Sequence, residues 1–516
     1  MRLDNMNKKT VLILVTILLI ASLLRFYGLD KESLWLDEGT TALSMKYHGP
    51  YETLKIFFLY GQILPEFYTN KPDLPTANAD LPVYYFFLAV WTKFFGTSAV
   101  SLRAFSALFG SLSILLIFLI AKEIFNDKVA LVSSLIASLN LTLIEYSQEA
   151  RNYSFLLFFS LLSIYYFVMF LKSNKNKYLA LFIIFTIVAV YTHFLFVFLV
   201  FFQALYIYSK EAINIFKNKK LRLSKLSLYY IIIPFSYLPL IARILRQKLS
   251  TVPHFGEISV QNLLKLAIRF NSWLYPSNHL RDLIYQKNFM VFSSIDILLV
   301  CSVILTALIL IVFALRYTFS SMKKIKKKYT FDDPFVILWL IVPVTLPFFM
   351  TLLRPTIRVF GQINYLIYTL PAYFIIVSKG ILGIRWKYGK IVIILFILLS
   401  ILPIYAYYSN TKKQQFREAA FYLKENVKND EAIFFNIRNG IVPFTYYYGK
   451  SEQAFPLPNL SRAMEISKEK KSIWLVYTFA KYSDPDGTIK KYFDETYNLA
   501  ESKHFFDVEL YHYIKN

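Results

Sequence analysis

The chain has 516 residues, of which 56% are hydrophobic and 18% aromatic, and it carries a formal net charge of +24. Its apolar residues form runs of about 18 or more, the length that crosses a bilayer, so the composition excludes a soluble globular protein. The basic residues lie in short clusters between these runs, as topology signals do, and this distribution argues against nucleic-acid binding. The single cysteine, Cys301, excludes a disulfide framework and a cysteine-based metal site within the chain.

The first apolar run, residues 11–27, lacks a small-residue cleavage site and is predicted to be a signal-anchor helix. Lys8 and Lys9 precede it, so the positive-inside rule places the N-terminus in the cytoplasm. The segment 28–80, with mixed charge and several prolines, is then predicted to be an outer loop. Residues 81–96 are too few to cross comfortably and are predicted to form a helix in the outer interface.

Further apolar runs predict more spans, and the Lys and Arg content of each connecting loop predicts its side of the membrane. The chain is predicted to cross about eleven times, at residues 11–27, 102–125, 129–144, 154–171, 178–191, 194–208, 226–245, 289–317, 334–353, 362–380 and 391–408. Every strongly basic short loop then falls on the cytoplasmic face. A full span at 81–96 would instead invert the sidedness of every later segment.

After residue 410 the composition changes to that of a soluble domain. Helical periodicity at 415–426 and 489–497, and strand-like runs at 432–435, 473–477 and 505–513, indicate a small α/β fold. The predicted fold class is therefore an all-α polytopic membrane domain, residues 1–410, followed by an extracytoplasmic α/β domain, residues 411–516.

Ionisable and polar side chains collect where the predicted spans meet the outer face. Their positions are Asp37, Glu38, Asp80, Arg103, Gln148, Glu149, Arg151, Tyr153, His193, Arg354 and Arg358. Transfer of a group from a lipid phosphate needs a carboxylate that takes a proton from the acceptor hydroxyl, and cations that stabilise the departing phosphate. Arginine suits the second role because its planar fork pairs with phosphate oxygens and stays charged near lipid.

Several segments resemble the polyprenyl-phosphate-sugar-dependent glycosyltransferases of GT-C architecture, and most of all the relatives of dolichyl-phosphate-mannose protein mannosyltransferases and lipid A aminoarabinose transferases. The similar segments are Leu36-Asp37-Glu38, Leu81-Pro82-Val83-Tyr84-Tyr85, residues 102–110, residues 146–151 and, at the start of the outer domain, residues 415–423. The resemblance is good from about residue 10 to 210 and looser beyond. The order and spacing of these segments carry it, since each motif alone is common.

The resemblance implies that Asp37 is the catalytic base, with Glu38 beside it in the catalytic pair. It also implies that arginines near the outer ends of early spans contact the donor phosphate, which makes Arg103 and Arg151 candidates. Further predicted positions are Arg354 and Arg358 for the phosphate, and Asp80, Gln148, Glu149, Tyr153 and His193 for other substrate contacts. Relatives often carry His or Lys before the interfacial helix, where this chain has Asp80 and therefore no positive charge.

The predicted function is an inverting glycosyltransferase of the plasma membrane. It would move a sugar from a polyprenyl-phosphate carrier to a hydroxyl of a protein, lipid or glycan on the outer face. No cofactor is predicted, and no metal-ligand spacing demands a divalent cation. A lipid-linked-sugar flippase or secondary transporter is the alternative, but such proteins usually have ionisable residues near the midplane and internally repeated halves. A scaffold or receptor that displays the outer domain is a third reading.

Overall fold

The computed structural model of the chain describes residues 6–55, 81–218, 225–239, 258, 260–271, 293–325, 332–353, 363–457 and 460–515. Contacts within the chain divide it into two compact units. The first comprises Met1–Tyr27, Ser106–Gln148 and Asn152–Asn410, and the second comprises Gly28–Phe105, Glu149–Arg151 and Thr411–Asn516. One unit boundary coincides with the predicted domain boundary after residue 410, whereas residues 28–105, predicted as part of the membrane domain, group with the C-terminal residues.

The described chain is mostly helical, with one small sheet near its C-terminal end. The helices are α1 (Lys8–Phe26), α2 (Leu36–Tyr47), α3 (Pro50–Lys55), α4 (Pro82–Phe95), α5 (Ala99–Ile124), α6 (Asp127–Leu139), α7 (Leu141–Ser147), α8 (Tyr153–Ser173), α9 (Asn176–Val190), α10 (Val197–Asn218), α11 (Lys225–Ser236), α12 (Val260–Asn271), α13 (Ser294–Ile325), α14 (Asp332–Leu353), α15 (Leu370–Leu382), α16 (Trp386–Ser409), α17 (Phe416–Asn426), α18 (Ile441–Tyr448), α19 (Leu460–Ser467), α20 (Ala480–Ser483) and α21 (Thr488–Thr496). Short 3-10 helices are Phe194–Phe196, Ile363–Thr369 and Arg438–Gly440. The strands are β1 (Ala432–Phe435), β2 (Ala454–Pro456), β3 (Ser472–Tyr477), β4 (Asn498–Phe505) and β5 (Val508–Ile514).

The chain is a multi-pass membrane protein. Among the described residues, 8 helices are long and apolar enough to cross a bilayer: Lys8–Phe26, Ala99–Ile124, Tyr153–Ser173, Phe194–Ala212, Ser294–Ser321, Asp333–Leu353, Ile363–Leu382 and Trp386–Ser409. Each coincides with a span predicted from the sequence. The predicted span 178–191 is a helix of only 15 residues, α9, and the prediction at 226–245 lies partly outside the described residues.

The predicted span at 129–144 coincides with two helices that pass the length and hydropathy test together, because the chain breaks in the middle. Helices α6 and α7 meet at Asn140 with a bend of 62°. The side chain of Asn140 accepts a hydrogen bond from the N–H of Leu143 at 3.1 Å, and Arg25 of α1 donates to the carbonyls of Ala137 and Ser138, each at 3.3 Å. These side chains satisfy the backbone groups that the break releases, as a break at membrane depth requires.

Helices of the first unit approach closely at small residues. A Cβ atom added to Gly380 of α15 would lie 2.0 Å from the carbonyl oxygen of Phe313 in α13, so only glycine permits this contact. Ser133 of α6 donates to the hydroxyl of Ser378 in α15 at 3.0 Å. Close backbone approach and hydroxyl pairs are the usual means of helix association in a bilayer.

The second unit contains a sheet with strand order β2-β1-β3-β5-β4. Strand β1 pairs in parallel with β2 and β3, whereas β5 pairs antiparallel with β3 and β4. Alternate residues point to opposite faces, so Phe435 and Trp474 join one core with α17 and α18. Phe434 and Leu475 join the other core with residues of α19 and α21. The predicted fold class, a helical membrane domain with a small α/β domain, is confirmed.

Helix α2 packs onto this α/β domain within the second unit. Its Leu43 is fully buried in the same core as Phe416 of α17 and Phe444 of α18. A Cβ atom added to Gly39 would lie 2.6 Å from the Cβ of Pro443, so α2 and α18 touch without a side chain between them. The segment predicted as an outer loop therefore begins with a helix held by C-terminal residues.

Candidate active site

Helix α2 carries both members of the predicted catalytic pair in its first turn. Successive residues of an α-helix point about 100° apart, so adjacent side chains face different surroundings. The side chain of Asp37 is 36% exposed, whereas that of Glu38 is completely buried. Both carboxylates lie near the helix N-terminus, whose partial positive charge favours their ionised forms.

Three partners hold the buried carboxylate of Glu38. Arg103 donates from Nε to one oxygen at 2.8 Å and from Nη2 to the other at 2.7 Å. Lys413 donates from Nζ at 2.9 Å, and the backbone N–H of Ala150 donates at 2.9 Å. Burial alone would raise the pKa of Glu38, but the charges and hydrogen bonds of Arg103 and Lys413 lower it to about 2. Glu38 therefore stays ionised and enclosed.

The remaining donors of Arg103 bind the loop before α2. Its Nη1 donates to the carbonyls of Leu29 and Glu32 at 2.8 and 2.7 Å, and its Nη2 to that of Ser33 at 3.0 Å. With the two bonds to Glu38, all five N–H groups of the guanidinium are engaged within the protein. Arg103 is 1% exposed. This geometry favours a role in shaping the loop and α2, and disfavours the predicted contact with a donor phosphate.

Arg151 lies beside the exposed carboxylate. Its Nη2 is 3.9 Å from an oxygen of Asp37, and its Nη1 donates to the hydroxyl of Tyr85 on α4 at 3.1 Å. Glu149, two residues earlier, lies 3.9 Å from Nζ of Lys413. The structure thus brings together the predicted residues Asp37, Glu38, Arg103, Glu149 and Arg151 within the second unit.

Three other predicted site residues, Gln148, Tyr153 and His193, belong to the first unit, and each makes a hydrogen bond within it. The amide of Gln148 donates to the carbonyl of Tyr27 at 2.7 Å, which ties the end of α7 to the end of α1. The hydroxyl of Tyr153 accepts from Asn364 at 3.1 Å. Nδ1 of His193 accepts a backbone N–H at 3.2 Å and caps the 3-10 helix that follows. The predicted positions Asp80, Arg354 and Arg358 lie outside the described residues.

Sequence reasoning missed Lys413, which lies in the segment between α16 and α17. Its side chain is 13% exposed and reaches Glu38 across 375 positions of sequence. One signal was present: Lys412 and Lys413 follow the last predicted span on the side predicted to be outside, where the positive-inside rule expects few lysines. Such an exception indicates that the charges have another role.

The described residues contain no group of three or more His, Cys, Asp or Glu side chains placed to hold a metal ion. Around Asp37 the acidic groups are matched by cations, because Arg103, Arg151 and Lys413 each lie within 4 Å of a carboxylate. Chemically, this arrangement offers one partly exposed carboxylate on a rigid helix with a guanidinium beside it.

The described residues combine a membrane domain of many spans, a helix with an acidic pair shortly after the first span, and a small α/β domain near the C-terminal end. Residues 73–238 match the family described as dolichyl-phosphate-mannose-protein mannosyltransferase. A search of curated protein sequences gave no significant match.

Solved structures share the fold. ArnT from Cupriavidus metallidurans, bound to undecaprenyl phosphate, superposes with a TM-score of 0.56 at 12% identity, over 98% of this chain and 98% of that chain. The Archaeoglobus fulgidus oligosaccharyltransferase in its apo form superposes with a TM-score of 0.54 at 12% identity, over 92% of this chain and 70% of that chain. The Archaeoglobus fulgidus oligosaccharyltransferase AglB, in complex with an inhibitory peptide and a dolichol-phosphate, superposes with a TM-score of 0.51 at 12% identity. The superposition covers 98% of this chain and 74% of that chain. The predicted resemblance is confirmed: the chain has the fold of the GT-C glycosyltransferases.

Proposed function

We propose that this chain is an inverting glycosyltransferase that moves a sugar from a polyprenyl phosphate to a hydroxyl acceptor on the outer face of the plasma membrane. The observation that carries the proposal is the contrast between Asp37 and Glu38. One carboxylate is 36% exposed beside a guanidinium, and its neighbour is locked in a buried ion pair. A general base needs the first environment, since it must reach a substrate proton.

The chemistry is one displacement. The acceptor oxygen attacks the anomeric carbon while the bond from that carbon to the phosphate oxygen breaks, and the configuration inverts. Asp37 takes the proton of the acceptor hydroxyl, and the polyprenyl phosphate leaves with the electron pair of the broken bond. Asp37 stays within reach because Glu38, one residue on, is anchored by Arg103 and Lys413.

The departing phosphate gains negative charge, so a cation must face it. Arg151 is our candidate among the described residues, because its guanidinium lies 3.9 Å from Asp37 and so beside the proposed reaction centre. Arg354 and Arg358 remain proposed phosphate contacts from their predicted position at the outer end of a span. Arg103 takes a different role from the one that the sequence suggested, since its donors hold Glu38 and the loop before it.

The carrier is proposed from the fold and the membrane setting. ArnT was solved bound to undecaprenyl phosphate and AglB in complex with a dolichol-phosphate, and both have the fold of this chain. The hydrocarbon of a polyprenyl chain is also chemically compatible with the apolar spans.

The test has two parts. Mass spectrometry of lipids that copurify with the protein is expected to find a polyprenyl phosphate. A panel of radiolabelled polyprenyl-phosphate sugars then identifies the donor by transfer or hydrolysis in detergent without any ion gradient, which a flippase or transporter would not catalyse.

The variant Asp37→Asn is expected to lower turnover by about 10²-fold or more, because it keeps the shape of the side chain and removes the base. Donor binding and the yield of folded protein should change little. Asp30→Asn is the matched control, since that carboxylate lies in the loop before α2 with its side chain 79% exposed. Near-normal turnover by purified Asp37→Asn would remove the base assignment.

A further inference from the structure

The C-terminal α/β domain contributes one cation to the interior of the second unit. Lys413 lies at its start, three residues before α17, and its side chain is 13% exposed. Nζ donates to Glu38 at 2.9 Å and lies 3.9 Å from Glu149. Burying an ammonium group costs free energy unless carboxylates compensate it, so the contact is specific to these two acidic partners.

The residues around Lys413 fasten the same segment to the loop that precedes α2. The backbone N–H groups of Lys412 and Lys413 donate to a carboxylate oxygen of Glu32 at 3.2 and 3.3 Å. The backbone N–H of Arg417 donates to the hydroxyl of Ser33 at 3.0 Å. Tyr447 of α18 accepts the backbone N–H of Leu34 at 2.9 Å. Loop and domain are therefore joined just before α2 by bonds of several kinds.

We infer that Lys413 is a positioning residue through which the C-terminal domain holds the helix that carries Asp37. Lys413 acts on Asp37 through Glu38: the ammonium group fixes the buried carboxylate, and the carboxylate fixes the first turn of α2. The inference rests on the proposed function for its effect on catalysis, and on the structure alone for its effect on the helix.

The charge of Lys413 matters more than its volume. Glu38 faces Arg103 from α5, Lys413, the hydroxyl of Tyr447 from α18, and the backbone of Ala150 between Glu149 and Arg151. The other N–H groups of Arg103 already donate to carbonyls of the loop, whereas Lys413 lies within 4 Å of both Glu38 and Glu149. Removing that charge leaves two buried carboxylates with less positive charge between them, so Glu38 is protonated at a higher pH.

The experiment compares Lys413→Met, which keeps an apolar stem and removes the charge, with Lys413→Arg, which keeps the charge. Lys424→Met is the matched control, because it removes the charge of an exposed lysine on α17. Lys413→Gln replaces Lys413→Met if the latter does not fold. All are measured as full-length protein in detergent.

The first readout is hydrogen–deuterium exchange of residues 36–47, which needs no substrate. Lys413→Met is expected to exchange faster there, whereas Lys424→Met and Lys413→Arg are expected to resemble the wild type. A change confined to residues 411–516 would overturn the inference, since it would mean that Lys413 stabilises only its own domain.

The second readout is transfer activity against pH. Lys413→Met is expected to lower kcat by about tenfold or more with little change in KM, because a displaced base spoils alignment and not binding. The acidic limb of the pH–activity profile of Lys413→Met should move up by about one pH unit. Lys413→Arg should restore most of the activity. The inference is contradicted if Lys413→Met keeps its activity and the acidic limb of its pH–activity profile does not shift. If the wild type itself transfers no sugar, the proposed function fails, and the exchange measurement still decides the role of Lys413.

Discussion

Asp37 and Glu38 show how adjacent residues of one type acquire opposite tasks. The helix turns between them, so one carboxylate faces solvent while the other meets Arg103, Lys413 and a backbone N–H. A carboxylate with this many compensating donors is stable in the charged form, and breaking such a buried pair leaves an uncompensated charge. Glu38 is therefore best described as the anchor of the pair.

Substitution of Glu38 is expected to affect stability before chemistry. Glu38→Gln should destabilise the protein by roughly 3–5 kcal/mol, because Arg103 would remain buried without its carboxylate. Thermal unfolding of the purified protein measures this, with Glu425→Gln on the exposed face of α17 as the control. An unfolding midpoint equal to that of the control would contradict the anchoring role.

The pH dependence follows from the same pair. The folded-state pKa of Glu38 is about 2, below its ordinary value of 4.5, so its contribution to stability is present above about pH 4.5 and is lost as the pH falls towards 2. Wild-type protein should therefore lose stability over that window more steeply than Glu38→Gln, which has no such proton to take up.

At the scale of the element, helix α2 owes its stability to tertiary contacts and not to its own sequence. Its central residues Gly39, Thr40 and Thr41 are poor helix formers, but Leu43 is buried in the core of the α/β domain and Gly39 touches Pro443. Tertiary packing therefore supplies the stability that local propensity lacks.

Gly39→Ala is expected to separate α2 from α18, since the added Cβ would lie 2.6 Å from Pro443. The cost of such overpacking is about 1–3 kcal/mol, and transfer activity should fall with it, because Asp37 lies two residues away. Thr40→Ala, on a partly exposed position of the same helix, should change stability by less than about 0.5 kcal/mol. Equal melting midpoints for the two variants would contradict the close packing of α2 against α18 at Gly39.

The same physics explains what could be predicted from the sequence. Strand β1 and the helix at 416–426 were predicted nearly to the residue, because each has a clear apolar pattern. The predicted strand 505–513 is in fact the end of β4, a tight turn at Asp507 with φ of 54°, and β5. Helix α2 and the break at Asn140 were missed, since both depend on distant partners, Pro443 for one and Arg25 for the other.

For the candidate site, the sequence predicted which residues gather but not their division of labour. Asp37, Glu38, Arg103 and Arg151, which the predicted topology gathers at the outer face, belong to one unit, and their roles stay predictions. Glu38 and Arg103 form a buried ion pair, so neither is left to contact a substrate. This pairing depends on the direction in which each side chain leaves its helix and on a loop whose carbonyls point inward, and a sequence motif shows neither. Lys413 was missed because it lies 375 positions from its partner.

At the scale of the molecule, the second unit is built from three separated parts of the chain, residues 28–105, 149–151 and 411–516. Because the core around Leu43 includes residues of α17, α18, β1, β3 and β5, the early segment has no complete core of its own. The C-terminal residues therefore complete the core into which the helix that carries Asp37 packs.

A chain that ends at residue 410 is expected to leave residues 28–55 open to protease, since their apolar face would lose its partner. Limited proteolysis with peptide mapping measures this, and co-expression of a fragment 411–516 should restore protection. Equal protection of the truncated and full-length proteins would show that the early segment folds without the domain.

The Glu38–Lys413 bond has a consequence for biosynthesis. Translation produces the acidic helix near the beginning and its ammonium partner only after the last membrane crossing, so this contact has a very large sequence separation and must form late. A polypeptide still on the ribosome therefore carries its early carboxylates unassembled through nearly every insertion step, and the proposed reaction centre is among the final parts of the molecule to take shape.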